Sequence, residues 1–266
     1  MEEIIGYLLA VIVGISLGLI GSGGSILTVP ILVYIMKVEP VNATAYSLFI
    51  VGATALVGGI KNAIEKNVEW KTAIIFGIPS IAAVYITRAI ILPIIPKEIL
   101  TIGGFIITKD IFLMMLFALV MILASYSMIK PSNKNEKNFS DVKYNFPMIF
   151  LEGTFVGVLT GLVGAGGGFL IIPALVLLAR IPIKLAVGTS LLIIAAKSLL
   201  GFFGDLKTNP NMDFHLIGYF TLAAIMGMFI GIFLTKKIDG AKLKVGFGWF
   251  VLIMGIYILI KELFLK

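Results

Sequence analysis

Residues 18–33, GLIGSGGSILTVPILV, and residues 161–176, GLVGAGGGFLIIPALV, are near copies of each other and determine the architecture of the chain. The offset between them is 143 residues, and 9 of 16 positions are identical. Each stretch places a glycine cluster between two apolar runs. We therefore predict two homologous halves, each of which opens with the same glycine-tipped element.

The similarity continues beyond these stretches without a gap. Ala43, Ala45, Ser47 and Leu48 match Ala186, Gly188, Ser190 and Leu191, and after one inserted residue NVEWK at 67–71 matches NMDFH at 211–215. We predict a first repeat at 1–130, a polar linker at 131–145 and a second repeat at 146–266. Homologous halves of membrane proteins commonly hold the substrate between them.

The composition predicts an all-α integral membrane protein. Hydrophobic residues make up 59% of the 266 residues, charged residues only 13%, and the mean hydropathy is +1.10. A water-soluble domain could not bury that much apolar surface. Each half supplies apolar runs of helical length, so we expect about 8–10 helical segments in a multi-pass protein of the cell membrane. The runs lie at 4–20, 25–36, 41–60, 70–95, 98–107 with 111–129, 146–163, 169–179, 184–204, 213–235 and 243–264.

Each glycine cluster is predicted to turn the chain back, which makes the opening element of each half a re-entrant helical hairpin. Residues 25–36 would form only about 18 Å of helix, too short for a bilayer core of ~30 Å. With hairpins, thirteen Lys and Arg residues near span ends fall on one side and six on the other. With continuous spans the division is ten to nine. Since cytoplasmic loops are enriched in Lys and Arg, we predict a cytoplasmic linker, external termini and inverted repeats.

The scarcity of reactive side chains narrows the function. The chain has no Cys and a single His, His215, which excludes thiol chemistry and multi-histidine metal sites. We predict no cofactor and no bound metal. The net charge of +7 comes from Lys residues in short links between apolar runs, which favours contact with anionic lipid over nucleic acid. A homo-oligomer is compatible with the sequence.

The two glycine tips are the candidate binding site. Glycine allows unusual dihedral angles and close approach of a ligand to the backbone. Each tip precedes a short helix whose N-terminal N–H groups and dipole suit an anion. The alternative is close helix packing, for which small residues are common in membranes. The tips are Gly21, Ser22, Gly23, Gly24 and Ser25, and Gly164, Ala165, Gly166, Gly167 and Gly168.

Lys197 lies in the middle of an apolar run, where an ionisable residue indicates function by default. Its cation would complement an anionic solute, and the alternative is snorkelling toward the helix end. The hydroxyls of Ser47, Thr189 and Ser190 are candidates for the same cavity, or for bonds to their own helices. For Arg88, nearer a span end, we favour anchoring or an inter-helix bond.

Together these features resemble the sulfite exporter TauE/SafE family of membrane permeases. The resemblance rests on two G-x-G-G tips, each followed by an apolar stretch with Pro30 or Pro173, and on two further segments in each half. These are Tyr46-Ser47-Leu48 and Thr189-Ser190-Leu191, and the acidic–aromatic pairs Glu69-Trp70 and Asp213-Phe214. Tyr46 stands where the family usually has Thr. The resemblance implies transport of sulfite, sulfonates or related organosulfur anions.

We therefore predict a transporter of small anions that binds its solute at the two tips, near the middle of the bilayer, and alternates access around that site. A membrane-embedded enzyme and an accessory subunit without solute flux are the alternatives, and an anion channel would share the site. The absence of Cys, the single His and the absence of paired acids disfavour the enzyme.

Overall fold

The computed structural model describes residues 2–102, 105–130, 146–177, 181–208, 212–234 and 240–264. The predicted linker at 131–145 lies outside the described residues. Within the described residues the chain forms ten helices and one two-stranded sheet. The helices are α1 (Glu2–Ile20), α2 (Gly24–Ile35), α3 (Pro40–Ile64), α4 (Trp70–Ile94), α5 (Lys109–Ile129), α6 (Phe146–Val163), α7 (Gly168–Leu177), α8 (Ile183–Thr208), α9 (Phe214–Leu234) and α10 (Gly240–Phe264), and the strands are β1 (Glu98–Ile102) and β2 (Phe105–Thr108).

The predicted all-α membrane class is confirmed. Seven helices in the described part of the chain are long and apolar enough to cross a membrane. Large apolar side chains point outward, with Leu8 63% exposed, Ile78 63% and Phe233 62%, whereas Thr54 and Lys197 are fully buried. This distribution reverses that of soluble proteins, because lipid is the solvent around the outer surface.

The run at 98–107, which we included among the apolar segments, forms two antiparallel strands instead of a helix. Leu100 pairs with Ile107 and Thr101 with Ile106. The residues on both sides of Gly103-Gly104 are rich in Ile and Thr, which favour strands, and a Gly-Gly pair between such runs is a hairpin signal. This local signal is present in the sequence, but the surrounding apolar pattern obscures it.

The chain turns back after α1, as the glycine break predicts. Gly6 at the start of α1 lies against Met36, just beyond the end of α2, and Gly24 lies against Ser16 and Leu17. Helices α1 and α2 therefore form an antiparallel hairpin. In the second half, Gly167 contacts Thr160 in the last part of α6.

Glycines at the helix contacts fix the relative directions of the long helices. A Cβ on Gly14, for example, would overlap the carbonyl oxygen of Ala224, so α1 and α9 touch backbone to backbone. Helices α1 and α9 run parallel, as do α4 with α6, α4 with α8, and α3 with α9, whereas α3 with α8 and α5 with α10 are antiparallel. The contacts that define these directions are Gly14–Ala224 and Gly18–Met228, Gly153–Phe76 and Gly161–Thr87, Gly201–Val84 and Gly204–Arg88, Tyr46–Asp213 and Gly58–Met228, Gly52–Leu199 and Gly59–Leu192, and Gly248–Met128 and Gly255–Met121.

The antiparallel crossing of α3 and α8 forms the centre of the molecule. Gly52 contacts Leu199 and Gly59 contacts Leu192, so the residue numbers of facing positions add to 251. Thr54 and Lys197 also add to 251, so they face each other across the crossing. They are separated by the repeat offset of 143 as well, so they are equivalent positions in the two halves. The fold therefore brings Lys197 to the midpoint of the crossing.

Candidate functional site

The backbone of both tips takes conformations that favour glycine. The φ angle is 76° at Gly21, 73° at Gly164, 67° at Gly166 and 61° at Gly167. These values lie in the left-handed region, which costs a residue with a Cβ roughly 1–2 kcal/mol. The glycines are therefore required for the geometry of the turns.

The structure brings the two tips into contact. A Cβ built on Gly166 would lie 3.5 Å from Cβ of Ser25, 2.7 Å from Cγ1 of Val51 and 3.3 Å from Cγ2 of Ile194. Val51 belongs to α3 and Ile194 to α8, and both lie near the middle of their helices. The tips thus meet beside the central crossing.

The ammonium group of Lys197 lies at the second tip. The side chain is fully buried, and Nζ donates a hydrogen bond of 2.8 Å to Oγ1 of Thr160. A Cβ on Gly167 would lie 2.9 Å from the same Nζ. Among the ion pairs of the described residues, none involves Lys197. This cation is therefore buried beside the glycine backbone without a carboxylate to neutralise it.

The remaining tip residues lie around this contact. Ser22 and Gly23 belong to the three-ten turn Ser22–Leu27 that opens α2, and the side chain of Ser22 lies outside the described part. Gly24, Ser25 and Ala165 are buried, and Gly168 begins α7.

The hydroxyl groups of Thr189 and Tyr46 occupy matched places in the two halves. Oγ1 of Thr189 accepts a hydrogen bond of 2.9 Å from the backbone N–H of Glu69, at the start of α4. The Tyr46 hydroxyl accepts one of 2.8 Å from the backbone N–H of Asp213, at the start of α9. Tyr46 thus does in one half what Thr189 does in the other. The sequence shows the two matched segments in each half. Only the packing of the helices shows that hydrogen bonds join the segment of one half to the segment of the other.

The two matched serines differ in their bonding. Ser190 donates from Oγ to the carbonyl oxygen of Val187 in its own helix, 2.8 Å away. Ser47 is fully buried, and its Oγ has no hydrogen-bond partner among the described residues.

Arg88 forms the inter-helix bond that we favoured. Its side chain is fully buried, Nη1 donates to Oγ1 of Thr44 at 3.1 Å, and the same nitrogen lies 3.4 Å from Oδ2 of Asp205. Helices α3, α4 and α8 are thereby joined. Thr44 also contacts the tip, because a Cβ on Gly164 would lie 2.5 Å from the Thr44 carbonyl oxygen.

The site is closed in this conformation. A cavity of about 10 Å³ lies beside the second tip and is lined by Thr160, Ala165, Gly167 and apolar side chains. That volume admits one water molecule at most. No group of three His, Asp or Glu side chains in the described ranges could hold a metal ion.

The described helices form a bundle with apolar outer surfaces. Interrupted helices with buried polar groups at the breaks are typical of multi-pass membrane transporters. The chain belongs to the sulfite exporter TauE/SafE family, whose model matches residues 6–258. It is therefore a membrane transporter and not an enzyme.

Relatives from archaea and bacteria support this assignment over nearly the whole chain. The probable membrane transporter protein MJ0441 of Methanocaldococcus jannaschii is 30% identical over 270 residues, which cover 95% of each chain. A probable membrane transporter protein of Xylella fastidiosa is 28% identical, covering 93% of this chain and 91% of its own. The probable membrane transporter protein YunE of Bacillus subtilis is 28% identical, covering 87% and 86%. No solved structure matches the chain.

Proposed function

We propose that this protein transports small oxyanions, with sulfite and sulfonates preferred, and that the anion binds between the two glycine tips. The single observation that carries this proposal is the ammonium group of Lys197, buried without a carboxylate and in contact with the backbone of Gly167. A charged side chain at the bilayer centre costs about 2.5–3.5 kcal/mol even on the lowest scales. A bound anion would offset that cost.

The backbone of the tips supports the same proposal. Helices α2 and α7 both begin at a tip, so both point N–H groups and the positive ends of their dipoles toward the contact between the tips. Such helix starts bind anions without needing further charged side chains. Because the site is closed, the tips must separate from each other before a solute can enter.

We also propose that residues 1–130 and 146–266 form inverted repeats that alternate access around the tips. The directions of the helices support this, because α1, α3 and α9 run one way and α4, α6 and α8 run the other. With the offset of the repeat, α1 corresponds to α6, α3 to α8 and α4 to α9. Each matched pair is therefore opposite in direction.

The proposed topology predicts opposite locations for the N-terminus and the linker. The chain has no Cys, so the single substitutions Glu3→Cys and Ser132→Cys can be labelled without background. We expect a membrane-impermeant thiol reagent to label Glu3→Cys on intact cells. It should label Ser132→Cys only after the membrane is permeabilised. Labelling of both sites from the same side would contradict the topology.

The transport proposal predicts uptake of oxyanions by proteoliposomes that contain the purified protein. We would compare sulfite, thiosulfate, sulfoacetate, sulfate and small carboxylates, with protein-free liposomes as the control. Saturable uptake of at least one sulfur oxyanion is expected. No uptake above the control would contradict the proposal and favour an accessory subunit, whereas flux far above carrier rates would favour a channel.

A further inference from the structure

Arg88 has more donors than its surroundings use. The guanidinium group carries five N–H donors in a planar fork. Within the part of the chain that the structure describes, only Nη1 has partners, Thr44 and Asp205, while Nε and Nη2 are buried and have no hydrogen-bond partner. A buried donor left unsatisfied destabilises the folded protein, and more so when the group is charged. A ligand that accepted these bonds would recover that free energy.

The ion pair with Asp205 does not occupy the Nε and Nη2 donors of the guanidinium group. Both carboxylate oxygens lie 3.4 Å from Nη1, whereas charge-assisted bonds between N–H and carboxylate are about 2.7–2.9 Å long. Asp205 therefore approaches the guanidinium group only at Nη1. The Nε–Nη2 edge is the edge that can bind two oxygens of a carboxylate or another oxyanion side by side.

Arg88 is also placed next to the second tip. It bonds to Oγ1 of Thr44, and the backbone of Thr44 contacts Gly164, where the tip begins. Lys197 contacts the same tip at its other end, at Gly167. Of these two buried cations, Lys197 contacts the tip directly and Arg88 is connected to it through Thr44.

The local structure of α4 is irregular at this point. Arg88 lies in the π-helical turn Thr87–Ile91, and π turns within α-helices frequently occur at functional sites. In the second half, the offset of 144 places Ile232 at the matched position. The guanidinium group is thus present beside one tip only. A residue that served only to stabilise the repeated fold would not need to differ between the two halves.

We infer that Arg88 is a second anion-binding residue, whose Nε and Nη2 atoms bind two oxygens of an oxyanion as it moves to or from the tips. This inference rests on the proposed function. The fork selects anions with two oxygens in suitable positions, such as sulfite, sulfonates and carboxylates, over chloride. Asp205 acts as a positioning residue, since it holds the guanidinium group by one corner and also competes with the solute for it.

Equilibrium binding to the purified full-length protein in detergent tests this inference. Sulfite, methanesulfonate, acetate and chloride serve as probes in titration calorimetry. Loss of a hydrogen bond to a charged group corresponds to ~10–100-fold in affinity. We expect Arg88→Gln to weaken sulfite and methanesulfonate binding by that factor. Asp205→Asn should strengthen it several-fold, because it removes a competing negative charge.

A purely structural role for Arg88 predicts a different pattern of binding and stability among these variants. If Arg88 only held α4 against α8, Arg88→Gln and Asp205→Asn would weaken binding and lower thermal stability alike. The double variant Arg88→Gln with Asp205→Asn leaves a neutral pair of similar size, so it remains informative if the single variant does not fold. We expect its oxyanion affinity to equal that of a folded Arg88→Gln variant, and wild-type affinity in it would overturn the inference.

The remaining outcomes separate this inference from the proposed function. Oxyanion binding that depends on Arg88, without flux in proteoliposomes, would support the Arg88 site and contradict transport. Flux that persists unchanged in Arg88→Gln, or chloride binding as tight as that of the oxyanions, would overturn the Arg88 site alone. No binding of any probe to the wild-type protein would overturn the inference about Arg88.

Discussion

Gly166→Val is expected to abolish oxyanion transport. The backbone of Gly166 has a φ of 67°, which a β-branched residue strongly disfavours, and a Cβ there would lie 2.7 Å from Cγ1 of Val51. Strain of roughly 1–2 kcal/mol and overpacking of about 1–3 kcal/mol act together. The second tip must then move away from Val51 and Ser25, which separates the backbone groups that we propose to hold the anion. Initial rates of sulfite uptake by proteoliposomes measure the effect.

Gly218→Val is the matched control for this substitution. Gly218 lies within α9, and a Cβ there would meet no atom within 4 Å. Its uptake rate should therefore equal that of the wild-type protein. Gly166→Ala, which adds the same strain with less bulk, should show an intermediate rate and keeps the test informative if Val prevents folding. Wild-type uptake by both Gly166 variants would refute the role of the tips.

Lys197→Met is expected to change affinity and stability in opposite directions. Met keeps the length and apolar character of the side chain but removes the charge. Loss of a charge-assisted bond to the solute should weaken oxyanion binding by ~10–100-fold. Removal of a buried cation that has no carboxylate partner should raise the free energy of unfolding by about 2–3 kcal/mol. Sulfite titration and thermal unfolding in detergent measure the two effects.

Lys184→Met provides the comparison on the same helix. Lys184 lies in the first turn of α8 and is exposed, so its replacement should leave both affinity and stability close to wild type. If Lys197→Met bound sulfite as tightly as the wild-type protein, the ammonium group would have no part in binding. If Lys197→Met instead lowered the stability, the bond to Thr160 would be structural.

The glycine turn after α1 and the position of Lys197 inside an apolar helix could be predicted because they depend on local patterns. A glycine cluster between two apolar runs turns a chain wherever it occurs, and a lysine in the middle of an apolar span is conspicuous in any context. The similarity between the two halves then predicts the same element in each of them. The strands at 98–108 were missed because their Gly-Gly turn signal lies within a region whose composition resembles that of its helical neighbours.

The partners of the polar side chains could not be predicted, because they depend on how distant helices pack. Arg88 and Asp205 are 117 residues apart, and Tyr46 and the backbone of Asp213 are 167 residues apart. Hydropathy and helical period do not say which helices become neighbours. The hydroxyl of Thr189 was a candidate for the solute cavity, but it accepts a bond from the start of α4 in the opposite half. The Tyr46 hydroxyl accepts the matched bond at the start of α9.

The parallel packing of α1 on α9 and of α6 on α4 has a mechanical consequence. The opening helix of each half packs against a helix of the other half, and glycine backbones are in direct contact along α1 and α9. A rocking motion that preserved these contacts would have to move α1 together with α9, and α6 together with α4. Each of the two bodies that tilt against each other would then contain helices from both repeats. The linker would separate the two repeats in the sequence but would not mark the boundary between the moving bodies.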